Sequence, residues 1–265
     1  MPACAAHYQF GQDVLHRLDE HWKSCALAHK REYDIGLQGP DPFFYYKPYR
    51  RNEVVRYGEE RHGLPACRMF VPILEKVHEG AALSYMMGLI CHYSLDKTCH
   101  PYVFAHCKTI DQHEQMESAF DRQILSARGW TEPRYLCLNP DGLDYPAMAS
   151  LWPGMDGETL RKCVKSQRRL IRLLDYKRVL KVCQTVINKP GRFTAMSLPS
   201  CVPGNQAEHV RHLDALYRKA LEECPELIRA ACESMGKKPV SCRGFEQNYK
   251  GEPAPGQDGA ATVTP

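Results

Sequence analysis

The stretch that decides the fold is residues 81–102, which read AALSYMMGLICHYSLDKTCHPY. Its first half carries no charged side chain, and histidine and aspartate enter only in the second half. About 20 apolar residues are needed to span a bilayer, so a shorter apolar run predicts a helix buried in a protein core. Since Pro101 disfavours helical geometry in the residue before it, we expect this helix to run from about Gly80 to near His100.

Helical periodicity continues on both sides of this stretch, whereas strand-like alternation is nearly absent. Further helices are predicted over residues 10–18, 64–78, 111–128, 160–174, 207–220 and 221–235. Glycines and prolines indicate loops at 36–46, 129–157 and 189–205, and 47–63 reads as a polar stretch. From Gly236 onward large apolar residues become rare, which is typical of disorder. The sequence therefore predicts an all-α, single-domain helical bundle over 1–235 and a disordered tail over 236–265.

The composition is that of an ordinary globular protein. Hydrophobic residues make up 43% and charged residues 25% of the 265 residues, which excludes collagen-like, fully disordered and disulfide-framework proteins. The net charge of +4 is too small to indicate a nucleic-acid-binding protein by itself. A secretory signal consists of a basic segment, an apolar segment and a cleavage site of small residues, and we find no such pattern in the first thirty residues. We therefore expect a cytoplasmic location, with the thirteen cysteines reduced and mostly used as small core residues.

Polar side chains of the central helix carry the candidate chemistry. His92, Asp96 and His100 lie at i, i+4 and i+8, which brings them to one side of one helix. Imidazoles and carboxylates are zinc ligands, and a carboxylate has two oxygens with which to bridge a pair of ions. His113 and Glu117 repeat the same spacing on the next predicted helix. The spacing predicts a metal site to which two adjacent helices supply five ligands.

Three further residues, His7, Asp41 and His62, are candidates to complete this site. His7 begins the first amphipathic helix, Asp41 stands between two prolines in an aromatic loop, and His62 lies at a helix entrance. Each position also has an ordinary structural explanation, as a helix-start residue, a turn acid or a surface loop residue. The residues alone leave both interpretations open.

Five segments together resemble the zinc-dependent phospholipase C family, in particular its bacterial members without an obvious signal peptide. They are AHYQFGQDVL at 6–15, GLQGPDPFFYY at 36–46, RHG at 61–63, GLICHYSLDKTCHPY at 88–102 and HEQME at 113–117. The resemblance covers roughly residues 5–125 and, more weakly, 215–230. The fold it implies is an α-helical bundle with the metals bound in a cleft at one end, similar to that of the zinc nucleases.

The resemblance implies two zinc sites with three protein ligands each. The first zinc would be held by His62, His92 and Asp96, and the second by His100, His113 and Glu117.

A third ion is also implied, which gives a cofactor requirement of two or three zinc ions. Asp96 would bridge to this ion with the help of His7. Asp41 matches the position of the family's proposed general base, or of an acid close to the metals.

Clustered zinc ions produce a metal-bound hydroxide near neutral pH and neutralise phosphate charge, which are the requirements of phosphoester hydrolysis. The predicted function is phospholipase C-type cleavage of a phospholipid head group. Two alternatives remain open at this stage. One is a nuclease or phosphomonoesterase with the same zinc cluster, and the other is a non-catalytic, metal-stabilised helical module.

The substrate is indicated by two weaker features. Phe44, Tyr45 and Tyr46 could line a head-group pocket that holds a quaternary ammonium by cation–π contact, or could belong to a core-facing loop. Residues 161–181 carry nine basic side chains on an amphipathic helix. This helix predicts a peripheral contact with an anionic membrane or with nucleic acid, or a solvated outer face.

Overall fold

A computed structural model of the chain describes residues 3–130, 137–175, 195–237 and 243–253. These ranges contain α-helices and short 3₁₀ turns but no β-strand, which confirms the predicted all-α fold. The helices are α1 (Cys4–Leu15), α2 (Glu20–Ala28), α3 (Lys30–Gly36), α4 (Glu53–Gly63), α5 (Ala66–Leu74), α6 (Gly80–His106), α7 (Ile110–Ala127), α8 (Tyr145–Ala149), α9 (Gly157–Asp175) and α10 (Ala207–Glu233).

Helix α6 is the central element of the fold. Every residue from 83 to 96 is buried, and α1, α2, α3 and α10 pack against the helix from different sides. A helix surrounded in this way has no solvent face, which explains why the sequence of its first half is apolar all round. His92, Asp96 and His100 of its second half are also placed inside the protein.

Helices α3 and α6 cross at a contact between two glycines. A Cβ atom at Gly88 would lie 2.3 Å from the carbonyl oxygen of Tyr33 and 2.8 Å from the Cα of Gly36. The Tyr33 hydroxyl donates a hydrogen bond of 2.8 Å to the carbonyl of Gly11, which connects α3 to α1. The glycine contact therefore brings the backbone that follows α3 close to the polar half of α6.

Helix α6 does not end where the sequence predicts. It continues through Pro101 to His106, so the predicted end near His100 is wrong. Proline removes only the hydrogen bond to the Lys97 carbonyl, and a long packed helix tolerates one such loss. Gly251, with a φ of 76°, packs here: a Cβ at this residue would lie 2.5 Å from Pro101 and 2.7 Å from the Lys97 oxygen.

Two other predicted boundaries also differ from the structure. Helix α10 is continuous through Pro225 rather than divided at residue 221. Part of the predicted polar stretch 47–63 is helical, because the Asn52 side chain accepts a hydrogen bond from the Val55 backbone and begins α4.

Residues 243–253 form an ordered segment that we call the C-terminal strap. Phe245 is 1% exposed and Tyr249 is 0% exposed. The strap is held to the start of α5 by backbone hydrogen bonds from Ala66 to Gln247 and from Cys67 to Phe245, of 2.9 and 2.8 Å. The prediction of a disordered tail is therefore wrong for these residues, because two aromatic side chains bury large apolar surfaces that the average composition conceals. Residues 254–265 lie outside the described ranges.

Most of the described cysteines lie in the core. None of the eleven forms a disulfide, and seven are buried. Within the described ranges, no helix has both the length and the apolar character needed to cross a membrane.

Candidate metal centre

All eight predicted site residues converge in one buried group, which we call the polar cluster. Each of these residues exposes 7% of its surface or less. They come from α1, from the 3₁₀ turn Asp41–Tyr45, and from α4, α6 and α7. The members are His7, Asp41, His62, His92, Asp96, His100, His113 and Glu117.

Local structure explains the contribution of α7 to the polar cluster. The Thr109 side chain accepts a hydrogen bond from the backbone of Gln112, and the Gln112 side chain bonds back to the Thr109 backbone. This capping box fixes the first turn of the helix. His113 and Glu117 then lie one turn apart on the same face, with His113 Nε2 and Glu117 Oε1 separated by 2.8 Å.

Helix α1, near the start of the chain, contributes His7 to the polar cluster. Its start is buried and is held by a hydrogen bond of 2.8 Å from the Ala6 backbone to Asp121 Oδ1. The His7 ring stacks on that of His92, with the ring centroids 4.0 Å apart. Small residues at the start of α1 permit this close approach, since Cys4 and Ala5 are buried as well.

The potential ligand atoms form three groups, in each of which they lie within 4.8 Å of one another. The groups are His7, His92 and Asp96; Asp41, His62 and His92; and His100, His113 and Glu117. The third group has the membership that the resemblance implies for the second zinc. The other two groups differ from the first zinc site that the resemblance implies. His62 and His92 are grouped with Asp41 instead of Asp96, and Asp96 is grouped with His7 and His92.

Asp96 connects the groups. Its Oδ1 lies 3.2 Å from His7 Nε2, and its Oδ2 lies 3.0 Å from His92 Nε2 and 3.7 Å from His100 Nδ1. One carboxylate therefore faces three imidazoles, which is the arrangement expected of a bridging ligand.

Asp41 lies among the ligand atoms themselves. Its Oδ1 is 3.1 Å from His62 Nε2 and 4.0 Å from His92 Nε2. Burial raises the pKa of this carboxyl, but the surrounding positive charge, including His62 and His92, outweighs burial and lowers the pKa to about 2. Asp41 is thus an ionised carboxylate in the position of a metal ligand.

Three of the imidazoles are oriented by backbone carbonyl groups. The Nδ1 atoms of His62, His92 and His100 donate to the carbonyl oxygens of Gly58, Leu37 and Tyr249, at 3.0, 3.1 and 2.7 Å. A carbonyl oxygen only accepts, so these bonds place the proton on Nδ1 and leave the Nε2 lone pair directed into the polar cluster. Such outer hydrogen bonds are what metal-binding histidines normally have.

The C-terminal strap supplies a part of the site that the sequence did not predict. Besides the carbonyl that accepts from His100, Tyr249 places its ring against those of His62 and His92, with centroid distances of 5.2 and 5.7 Å. No ligand spacing indicates this residue. The signal that could have found it is a pair of aromatic residues, Phe245 and Tyr249, in a segment otherwise poor in large apolar residues.

The carboxylates of the polar cluster stay ionised in spite of their burial. Burial raises the pKa of Asp96, but His100, His92 and His7 outweigh it and hold the pKa well below its ordinary value. Glu117 behaves in the same way beside His113 and His100. Burial lowers the pKa of His100, yet Asp96 and Glu117 raise it overall to about 9. The polar cluster therefore holds three buried negative charges that require positive partners.

The ligand atoms are spaced closely enough to hold a metal ion. Two ligand atoms at 2.0–2.2 Å from one zinc ion in tetrahedral geometry lie about 3.4 Å apart. The nitrogen–oxygen distances within the three groups start at 2.8 Å, between His113 and Glu117. The Nε2 atoms of His62 and His92 are buried and have no hydrogen-bond partner among the described residues. A cation bound between these nitrogens and the carboxylates would satisfy both.

The three aromatic residues predicted to bind substrate lie in different environments. Phe44 is half-buried, and its ring centroid lies 4.9 Å from that of His62. Tyr45 is 3% exposed and belongs to the core. Tyr46 is half-buried, with Lys47 Nζ 5.1 Å from its ring. The Phe44 ring thus contacts the polar cluster through His62.

A cleft that leads to the polar cluster stays a prediction. The two described cavities are lined by other residues, one around α5 and one along the basic face of α9. Phe104 is an exposed aromatic residue beside the polar cluster, with 46% of its surface exposed. Its ring centroid lies 5.3 Å from that of His100 and 5.2 Å from that of His113. Of the basic helix predicted at 161–181, residues 176–181 lie outside the described ranges.

The fold and the polar cluster together define an all-α protein with a candidate multinuclear metal centre. Comparison with family models, with curated proteins and with solved structures finds no match for this chain. The resemblance to the zinc-dependent phospholipases C stays a prediction from the sequence motifs.

Proposed function

We propose that this protein is a zinc-dependent phosphoester hydrolase that cleaves phospholipid head groups in the manner of a phospholipase C. The observation that carries the proposal is the convergence of five imidazoles and three carboxylates into three ligand groups. Two of the groups share His92, and Asp96 lies 3.7 Å from His100 of the third. Bound zinc ions would lower the pKa of a water molecule towards neutrality and offset the negative charge of a phosphate group.

The residues of the chain have distinct tasks in this proposal. Asp96 would bind neighbouring ions through its carboxylate, and Asp41 would serve as a ligand beside His62. The carbonyls of Leu37, Gly58 and Tyr249 keep the histidine rings oriented, because each accepts from an Nδ1 atom. Preorganised ligands of this kind avoid rearrangement during the reaction.

The substrate approaches, in this proposal, from the side of Phe104. This ring lies against His100 and His113 and is partly exposed. Lys250 Nζ lies 6.0 Å from the ring centroid and adds a positive charge at the same place. A phosphoester with an apolar body has matching chemistry, since its phosphate is anionic and its body packs against an aromatic ring.

A second candidate function is a nuclease with the same metal chemistry. The observation in its favour is the basic face of α9, where Lys165, Arg168, Arg169 and Arg172 line one cavity. Phosphate groups of a single strand would be attracted to such a face.

The proposal is tested with a substrate panel together with metal analysis. We expect two or three zinc ions per chain and chelator-sensitive hydrolysis of choline lipid or inositol lipid, or of a chromogenic phosphodiester. We expect His92→Ala, Asp96→Ala and His113→Ala each to lower turnover by at least about a hundredfold, because each removes a proposed ligand.

The matched control is His106→Ala, which changes an exposed histidine of α6 outside the polar cluster. Cleavage of single-stranded DNA but not of lipid would select the nuclease. Zinc binding without hydrolysis of any substrate would instead indicate a metal-stabilised module. In that case Asp41→Asn should leave every measured function unchanged. Absence of zinc after reconstitution would contradict both enzyme proposals.

A further inference from the structure

A cavity of about 480 Å³ lies on the outer side of α4 and α5, and the polar cluster contributes none of its lining. Its apolar wall is formed by Met69, Ile73, Val77 and Leu151, each of which is at most 5% exposed. Cavities of roughly 300–1,000 Å³ with mainly apolar walls are typical of small-molecule sites. The volume therefore suits a small ligand rather than a protein segment.

The polar part of the lining is positively charged. Arg61, Arg68 and Lys76 stand at this cavity against one acid, Glu79. Neither Arg68 nor Lys76 has an ion-pair partner in the part of the chain that the structure describes. Uncompensated cations around an apolar wall favour a ligand that carries a negative group on an apolar body.

Arg61 provides a second, independent indication of an anionic ligand. Its Nε atom is buried and has no hydrogen-bond acceptor among the described residues. The guanidinium lies over the Tyr57 ring, with Cζ 4.5 Å from the ring centroid, which holds the group in place. A buried donor without an acceptor is unfavourable, and a bound anion would supply the acceptor.

The start of α6 also favours an anionic ligand in this cavity. Ala82, in the first turn of this helix, lines the cavity. The N-terminus of α6 has no side-chain cap, since the Glu79 side chain accepts no hydrogen bond there. The first backbone N–H groups of a helix and its dipole attract negative charge.

We propose that this cavity is a second ligand site, which binds a small amphipathic anion, a carboxylate or phosphate on an alkyl or aromatic body. The anionic group would be bound by Arg61, Arg68 and Lys76, and the apolar body would pack on Met69 and Ile73. The site does not depend on the proposed hydrolase function.

The experiment measures binding to the full chain by titration calorimetry. The probes are octanoate and octyl phosphate below their micelle concentrations, with octanol and inorganic phosphate as controls for the apolar body and the charge. We expect one molecule of at least one anionic probe to bind, at least tenfold more tightly than either control. Which of the two anions binds identifies the preferred head group.

Variants locate the binding. The double change Arg68→Ala and Lys76→Ala should weaken binding at least tenfold, and Ala82→Phe, which fills the cavity, should abolish it. Arg56→Ala, on the same helix as Arg61 but outside the cavity, should leave binding unchanged. Asp96→Asn should also leave it unchanged, which separates this site from the metal centre.

Three results would overturn the inference: no binding of either anion, equally tight binding of octanol, or binding that the cavity variants do not alter. Circular dichroism confirms that each variant is folded before it is titrated. Binding that Asp96→Asn abolishes would assign the probe to the metal centre and would likewise overturn the second site.

Discussion

His100 receives two opposing influences from its surroundings. The residue is 5% exposed, and burial disfavours its charge. Asp96 and Glu117 lie on either side, and the Tyr249 carbonyl accepts from its Nδ1 at 2.7 Å. In the metal-free protein the carboxylates prevail, so that the imidazole is protonated at neutral pH with a pKa of about 9. Zinc would have to displace this proton, because both species require the same Nε2 lone pair.

The raised pKa of His100 predicts a pH dependence of stability for the metal-free protein. Its stabilising contribution is complete below the ordinary histidine value of 6.5 and is lost as the pH rises through about 9. The free energy of unfolding, measured by urea titration, should therefore decrease by on the order of 3 kcal/mol between those limits. His100→Gln, which cannot titrate, should show a smaller decrease.

The control for this prediction is His16→Gln, which changes an exposed histidine at the end of α1. It should retain the pH dependence of the unaltered chain. If His100→Gln and the unaltered chain lose stability equally, the raised pKa is wrong.

At the scale of elements, the contact between α3 and α6 determines the position of residues in the polar cluster. Gly36 and Gly88 permit backbone-to-backbone contact, and the next residue after α3, Leu37, then reaches His92 Nδ1. Gly39, with a φ of 55°, packs against the same ring: a Cβ there would lie 2.2 Å from His92 Cδ2. The crossing of α3 and α6 therefore also determines the orientation of the His92 ring.

Gly88→Ala should therefore affect stability and metal binding together. The added Cβ would lie 2.3 Å from the Tyr33 carbonyl, so α3 must move away from α6. We expect a loss of about 1–3 kcal/mol in the free energy of unfolding, the usual cost of overpacking, and weaker zinc binding. Denaturant unfolding and zinc titration measure the two effects.

Gly204→Ala is the matched control, because a Cβ at Gly204 would meet no atom within 4 Å. It should change neither quantity. Full stability of Gly88→Ala would show that the helices adjust without cost and would refute the argument.

The sequence predicts the helices and the candidate ligand residues better than it predicts the backbone groups that orient those residues. The spacing of His92, Asp96 and His100 predicts their convergence because helical geometry alone places them on one face. His7, Asp41 and His62 required the motif resemblance, since no local pattern joins distant segments. The carbonyl of Leu37 could not be predicted, because every residue has a carbonyl and only the tertiary packing selects one. Pro101 misled the prediction because a local rule ignores the packing that sustains a long helix.

At the scale of the whole molecule, the C-terminal strap closes the structure over α5 and α6. Tyr93 donates from its hydroxyl to the carbonyls of Gly244 and Gln247, at 3.1 and 3.2 Å. Phe245 packs on Phe70, with ring centroids 4.5 Å apart. The strap thus joins the hydrophobic core to the metal centre through Tyr249.

Removal of residues 243–265 should destabilise the protein and weaken its metal site. Burial of Phe245 and Tyr249 is lost, and substitution of one such aromatic residue by alanine typically costs about 3–5 kcal/mol. We expect the melting temperature to fall by about 10 °C or more. We expect zinc affinity to fall about 10–100-fold, because His100 loses its carbonyl acceptor.

The comparison is with a chain that lacks only residues 254–265. The difference between the two truncated chains isolates the strap. Equal melting temperatures and zinc affinities would mean that the strap contributes to neither.

The hydrogen bond between His100 and Tyr249 joins residues separated by 149 positions. At about 5–20 residues per second, ribosomal synthesis of that interval takes roughly 7–30 s. A nascent chain thus carries all eight polar residues for many seconds before the carbonyl that orients His100 is made. A metal ion that requires the oriented His100 ring would consequently meet the complete site only after the strap has left the ribosome.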